Sequence, residues 1–202
     1  MNSRIFVSGI GTNVGKTVVS AALVKAFGYE YWKPVQAGDL HFSDSKKVSE
    51  WSGGVIHPER YRLQLPMSPH QAAALENIHI QLSDFELPLT KNPLLVEGAG
   101  GLLVPLNDKG EYLIDLALKF KLPVVLVGTF YLGSINHTLM SLAMLEKYGL
   151  TLEHLILWGD DPNHSLRAIQ AACDPEKIIH LPFLDLPEKE MVNHLSEIFR
   201  SR

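Results

Sequence analysis

The run Ser8-Gly9-Ile10-Gly11-Thr12-Asn13-Val14-Gly15-Lys16-Thr17 carries residue types suited to holding phosphate. Glycines let backbone N–H groups turn inward around an anion. A helix opening at the end of the run adds unpaired N–H groups and the positive end of its dipole. Lys16 brings a cation to the outer phosphates of a nucleotide, and the Thr17 hydroxyl can hold Mg²⁺. The standard spacing, G-x-x-x-x-G-K-[ST], would put glycine at position 10. Ile10 stands there instead, with Gly9 one residue further out and Gly11 one further in. That spacing points to a subclass of phosphate loop.

A second cluster is Leu94-Leu95-Val96-Glu97-Gly98-Ala99-Gly100-Gly101. An apolar strand ending in a carboxylate places an acid near a nucleotide-bound Mg²⁺. The glycines after it allow backbone to approach a ligand closely. In isolation, a surface glutamate before a turn would read the same way. Trp32-Lys33-Pro34-Val35-Gln36-Ala37-Gly38 puts a lysine at the end of a strand, where either a solvated lysine or an anion-binding one fits. Leu132-Gly133-Ser134-Ile135-Asn136-His137 starts a helix. It is either a second anion site or an ordinary cap by Ser134.

These residues need a frame. Strand-like runs occur at Ile5-Phe6-Val7, Tyr29 to Trp32, Leu94-Leu95-Val96, Val124 to Val127, Leu155-Ile156-Leu157 and Ile178-Ile179. Several are continuously apolar, the pattern of strands buried on both faces of a parallel sheet. Helical patterns lie between them at Val18 to Phe27, Ile135 to Tyr148, Asn163 to Cys173 and Glu188 to Phe199. The alternation predicts an α/β fold, a doubly wound, mainly parallel sheet with helices on both faces, and the phosphate loop makes the expected fold one of the P-loop NTPase type. In parallel sheets ligands bind beyond the C-terminal strand ends, and Glu97 lies on that edge. All 202 residues are expected to form one domain. Its irregular part is an enlarged crossover at about 35–92, with helices over Asp44 to Trp51 and His70 to Asn77. A crossover needs only a dozen or so residues, so this stretch is either where a substrate site is built or a structural extension.

Composition removes other classes. Lys+Arg 18 against Asp+Glu 22 leaves a net charge of −4, and only Lys46-Lys47 are adjacent basic residues. Nucleic-acid binding through phosphate contacts is not expected. The single Cys173 fits a reducing compartment and reads as a small core residue. No secretory segment precedes the first strand, and no apolar run approaches the length of a membrane span, so a cytoplasmic protein is predicted. The nine histidines show no paired ligand spacing, and zinc is not predicted.

Taken in order, Gly9 to Thr17, Lys33-Pro34-Val35-Gln36, Ser68-Pro69-His70, Val96 to Gly101 and Gly133-Ser134-Ile135-Asn136-His137 resemble the dethiobiotin synthetases. The resemblance runs from about Ile5 to Leu184. It implies an ATP-dependent ring closure in biotin synthesis. One amine of 7,8-diaminopelargonate takes up CO₂ as a carbamate, ATP phosphorylates it to a mixed anhydride, and the other amine displaces phosphate to leave a cyclic urea. It implies that Lys16 holds the β- and γ-phosphates within a nucleotide site of Asn13, Val14, Gly15, Lys16, Thr17 and Val18. Thr17, Asp44 and Glu97 hold Mg²⁺, with Asp39 a competitor for the place of Asp44. Lys33 stabilises the carbamate and the migrating phosphoryl group, and Thr12 approaches both. The backbone of Gly133, Ser134, Ile135 and Asn136 binds the distant carboxylate from the neighbouring subunit, which implies a homodimer with shared sites.

The sequence departs from the family pattern in places. Ala37, in the substrate site, stands where a hydroxyl residue is usual. Gly11 and Asn13 replace acids in the loop. Trp158-Gly159-Asp160-Asp161 stands where a purine-recognising Asn is expected, which opens the site to nucleotides other than ATP. Asp160 reads as a guanine contact or as a solvated loop acid. The runner-up is a dimeric ATPase switch of the partition or septum-positioning type, but its extra loop lysine is absent from Gly11-Thr12-Asn13. A cobyrinate-type amidotransferase would need a glutaminase domain for which 202 residues leave no room.

Overall fold

The computed structural model describes residues 2–161 and 164–201. The chain opens with β1 (Arg4–Gly9), buried from Ile5 onward, and passes through the glycine-rich loop into α1 (Lys16–Phe27). β2 (Glu30–Trp32), β3 (Val35–Ala37), α2 (Asp44–Ser52), β4 (Ile56–His57), β5 (Tyr61–Leu63) and α3 (Pro69–Leu75) follow. Then come β6 (Leu94–Gly101), α4 (Ile114–Phe120), β7 (Val124–Thr129) and α5 (Ser134–Lys147). The chain finishes with β8 (Leu152–Trp158), α6 (Ser165–Gln170), β9 (Ile178–Leu181) and α7 (Glu188–Arg200).

Seven strands form one sheet in the order β4-β2-β6-β1-β7-β8-β9, and every pairing in it is parallel. Alternate residues of the inner strands enter two apolar layers. Ile5, Leu95 and Val125 pack with Leu23 of α1, Val48 of α2 and Val192 of α7. Phe6, Val96 and Val124 pack with Ala72 of α3 and Ile114 of α4. Both faces are covered, which is why these strands read as continuous apolar runs rather than alternating ones. The doubly wound α/β expectation is met.

The parallel order brings the C-terminal ends of β1, β2, β6, β7 and β8 to one edge. The loop after Gly9, Lys33, the glycines after Glu97, and Trp158 therefore gather there. The register of β1 on β6 pairs Val7 with Glu97 and slips between Val7 and Gly9, where β1 turns into the loop.

The structure corrects the expected elements in several places. The enlarged crossover contains three short strands not anticipated: β4 joins the edge of the main sheet, while β3 and β5 form a separate parallel pair. Two or three residues are too few to show a period, and Pro34 interrupts the run before β3. α4 was also not expected. It follows Leu113, which offers no side-chain cap, so its start carries no polar signal. The expected helix from Asn163 to Cys173 covers Ser165–Gln170, and Asn163 lies outside the described residues. Cys173 is half-buried against the core edge, and burial with nearby Asp174 pushes its thiol pKa up. Among the described residues, no helix is long and apolar enough to cross a membrane.

Candidate active site

The loop from Gly9 to Gly15 is shaped by close backbone packing. A Cβ on Gly9 would lie 2.6 Å from the Gly11 carbonyl and 2.7 Å from a Val14 methyl, so only glycine fits without a shift. Asn13 (φ 57°) and Gly15 (φ 85°) both adopt the left-handed conformation. No side chain caps the start of α1, so its first N–H groups remain available to an anion. The Lys16 ammonium arches back to donate to the Gly11 carbonyl at 3.3 Å. Burial lowers its pKa to about 8, opposed by Glu97, reinforced by Lys33 and opposed again by Asp44. A dianionic phosphate in the loop would favour the charged form.

Beside the loop lies a buried ion cluster. Lys33, only 3% exposed, follows β2 and points at two carboxylates. Its Nζ is 2.8 Å from Asp44 Oδ2 and 3.1 Å from Glu97 Oε1. Burial alone would lower the Lys33 pKa, but Glu97 and Asp44 outweigh it and hold the ammonium above the ordinary lysine range. Burial likewise favours a neutral Asp44, and the Lys33 charge overcomes it, so the Asp44 pKa lies below the usual carboxylate range. Glu97 is fully buried. The Thr17 hydroxyl donates to Glu97 Oε1 at 3.2 Å, while Glu97 Oε2 has no hydrogen-bond partner.

Local structure fixes Asp44. Ser43 caps α2 by accepting from the Lys46 N–H. The buried Gln36 side chain donates to the Gly38 carbonyl at 2.9 Å and accepts from the Asp44 N–H at 3.3 Å. The start of α2 is thereby tied to β3. Asp39 lines the same cleft, but its carboxylate takes no part in the contacts of Lys33, Thr17 and Glu97.

A cleft of about 830 Å³ joins these groups. Thr12, Asn13, Val14, Gly15, Lys16, Thr17, Val18, Lys33, Ala37 and Asp44 all line it. Residues from three separate regions thus meet in one space. Gly133, Ser134, Ile135 and Asn136 are not part of its wall. They begin α5, where Gly133 has φ 104° and the Ser134 hydroxyl is buried without a partner. A second cavity of about 410 Å³ lies between the loop and this region, bordered by Gly11, Thr12, Asn13, Tyr131 and His137.

Lys47, Trp51 and Met191 also line the larger cleft and were not anticipated as site residues, while Gln36 and Trp158 belong to stretches the sequence had already singled out. Trp158 carried a usable signal, because a large aromatic at the C-terminal end of a parallel strand stands where ligands bind. Trp51 and Met191 carried none, since they sit on helix faces that read as core.

The comparisons agree with the geometry. The family model described as an AAA domain matches residues 3–190. The ATP-dependent dethiobiotin synthetase of Christiangramia forsetii is 42% identical over 100% of this chain and 98% of its own. That of Rhodopseudomonas palustris is 42% identical over 92% of this chain and 90% of its own, and that of Brucella ovis 39% over 96% and 92%. With nearly the whole length of each relative matched, the phosphate loop and Lys33 in one cleft and Lys33 in contact with the buried Glu97, the chain belongs to the dethiobiotin synthetase family.

Proposed function

We propose that this protein closes a urea ring on 7,8-diaminopelargonate, using CO₂ and ATP, to make dethiobiotin. The observation that carries the reading is the Lys33 ammonium, buried and locked between Asp44 and Glu97 at the edge of the phosphate-loop cleft. Joining a carbamate to a γ-phosphoryl group brings two anions together, and fixed positive charge is what that step requires.

The reaction needs no covalent enzyme intermediate. An amine nitrogen bonds to the carbon of CO₂ and loses a proton, giving the carbamate. A carbamate oxygen attacks the γ-phosphorus, and the bond to ADP breaks. The second amine attacks the carbonyl carbon, phosphate leaves, and a proton is lost. Lys33 stays protonated and faces the carbamate and migrating phosphoryl group. Backbone N–H groups from Asn13 to Val18 cradle the phosphates, with Lys16 on the outer two. Thr12 borders the reacting end. Ala37 offers a methyl where a hydroxyl would supply one more donor to the carbamate.

The donor set suits a magnesium ion. The unpartnered Glu97 Oε2, the Thr17 hydroxyl and Asp44 are hard oxygen donors, and Thr17, Asp44 and Glu97 would hold the ion. Two carboxylates and a hydroxyl make no all-protein cage, and among the described residues no group of three or more acids, histidines or cysteines makes one. Mg²⁺ ordinarily completes its shell with phosphates and water. When bound, it neutralises charge on the β- and γ-phosphates.

The working unit is a cytoplasmic homodimer of one-domain chains. The N-terminus of α5, Gly133 to Asn136, lies outside the cleft of its own chain, so its N–H groups serve the carboxylate of substrate bound across the dimer. The stretch Trp158 to Asp161 offers no asparagine to a purine, and nucleotides other than ATP are accepted. The test combines diaminopelargonate, bicarbonate, Mg²⁺ and each nucleoside triphosphate in turn, with the cyclic urea detected by mass. A cyclic product supports the reading. Its absence with every nucleotide overturns it and favours an ATPase switch.

A further inference from the structure

Trp158 ends β8 and reaches across the site to the phosphate loop. Its indole Nε1 donates to the Val14 carbonyl at 2.6 Å. The ring sits close enough to the loop that a Cβ on Gly15 would come within 2.5 Å of Nε1 and 2.7 Å of Cε2. The residue is itself anchored: the Thr129 hydroxyl donates to the Trp158 carbonyl at 2.8 Å, and the next N–H, of Gly159, donates to Leu181 at 3.0 Å. The indole is therefore a fixed donor mounted on three adjacent strands.

The Val14 carbonyl and the Gly15 N–H belong to one peptide group. In a trans peptide these two point in opposite directions. Holding the carbonyl outward toward the indole turns the N–H inward. Glycine populates φ of either sign at little cost, so the residue type at position 15 does not by itself fix this orientation. Gly15 also cannot be replaced by a bulkier residue that would restrict it, since the indole occupies the space a Cβ needs.

We propose that Trp158 is a positioning residue of the phosphate loop: its indole N–H holds the Val14 carbonyl and thereby aims the Gly15 N–H at bound phosphate. The proposal rests on nucleotide binding by the loop and is independent of the substrate of the reaction. It differs from a role for Trp158 as a platform for the base. A platform would affect only ligands that carry a base, whereas an aimed N–H affects any ligand that carries the phosphates.

The test measures binding of ADP and of inorganic pyrophosphate, each with Mg²⁺, to three proteins: wild type, Trp158→Phe, and a protein with benzothienylalanine at position 158. The last keeps the size and shape of the indole and replaces only the N–H by sulfur. Loss of a hydrogen bond and of loop orientation predicts affinity for both ligands lowered roughly tenfold in both altered proteins. The melting temperature of the benzothienylalanine protein should stay near that of wild type. Unchanged affinity for pyrophosphate in that protein overturns the proposal, with an ADP-only loss assigning Trp158 to the base. A failure of wild type to bind either ligand would instead overturn nucleotide binding itself.

Discussion

Replacing Lys33 with methionine keeps most of the side chain's length and removes its charge. The two carboxylates at 2.8 and 3.1 Å then face each other without a cation. At an effective dielectric of about 20, each lost contact is worth roughly 5–6 kcal/mol of Coulomb energy. Desolvation of the three ions already offsets much of that, and breaking a buried pair typically costs ~3–5 kcal/mol net. Glu97 carries most of this cost because it is fully buried. For a protein of this size ~2–4 °C accompanies each kcal/mol, so melting in the absence of Mg²⁺ should fall by roughly 6–20 °C. Adding Glu97→Gln to Lys33→Met should cost less than the sum of the single changes, because the second change removes the charge that the first left stranded. Turnover should drop by ~10²–10³. ADP affinity should change only a few-fold, since Lys16 and the loop N–H groups remain. The assays are thermal melts with and without Mg²⁺, calorimetric ADP titration, and mass detection of the cyclic product. An unchanged melt with additive substitutions would refute the ion cluster as a structural element. A loss of ADP affinity as large as the loss of turnover would show that Lys33 holds nucleotide rather than the transferring group.

Three further outcomes are expected. Gly9→Ala forces a methyl to within 2.6 Å of the Gly11 carbonyl, and overpacking of this kind costs ~1–3 kcal/mol. A lowered melt together with weaker ADP binding checks it, and wild-type values in both would show that the loop has room. If two subunits share each site, mixing inactive Lys33→Met with inactive Gly133→Asp should restore about a quarter of wild-type turnover through mixed dimers. No recovery after verified subunit exchange would place both groups in one chain's site. Burial holds the His154 imidazole pKa below its ordinary range, against an opposing pull from Glu153. The unfolded chain therefore takes up the proton first as pH falls below about 6.5, and stability drops from there down through the folded pKa. Urea unfolding at about pH 7.5 and about pH 5.5 should show a smaller acid loss for His154→Gln than for wild type. Equal losses would remove His154 from the acid response.

What was legible in the sequence was local. The glycines, Lys16 and Thr17 form a continuous run, so the phosphate loop could be read without knowing the fold. The strands β1, β6, β7 and β8 are apolar over three or more consecutive residues, and that continuity announces a sheet covered on both faces. Glu97 could be placed on the ligand edge because strand direction follows from the parallel α/β pattern. The short strands β3, β4 and β5 could not be read, since two or three residues carry no period and their pairing depends on neighbours distant in the chain.

The working details belong to tertiary structure. Lys33 and Glu97 are 64 residues apart and Trp158 and Val14 are 144 apart. Neither approach follows from residue type. Each follows from the strand order β2-β6-β1-β7-β8, which sets β2 beside β6 and leaves only β7 between β8 and the loop after β1. Asp44 rather than Asp39 meets Lys33 because Gln36 ties the start of α2 to β3. The start of α5 stands apart from the cleft for the same kind of reason: β7 delivers it beyond the other side of the loop. Sequence alone determined which chemistry the chain carries, because backbone propensity and residue charge are local properties. Only the packed sheet decided which groups act together, because juxtaposition depends on the path of the whole chain.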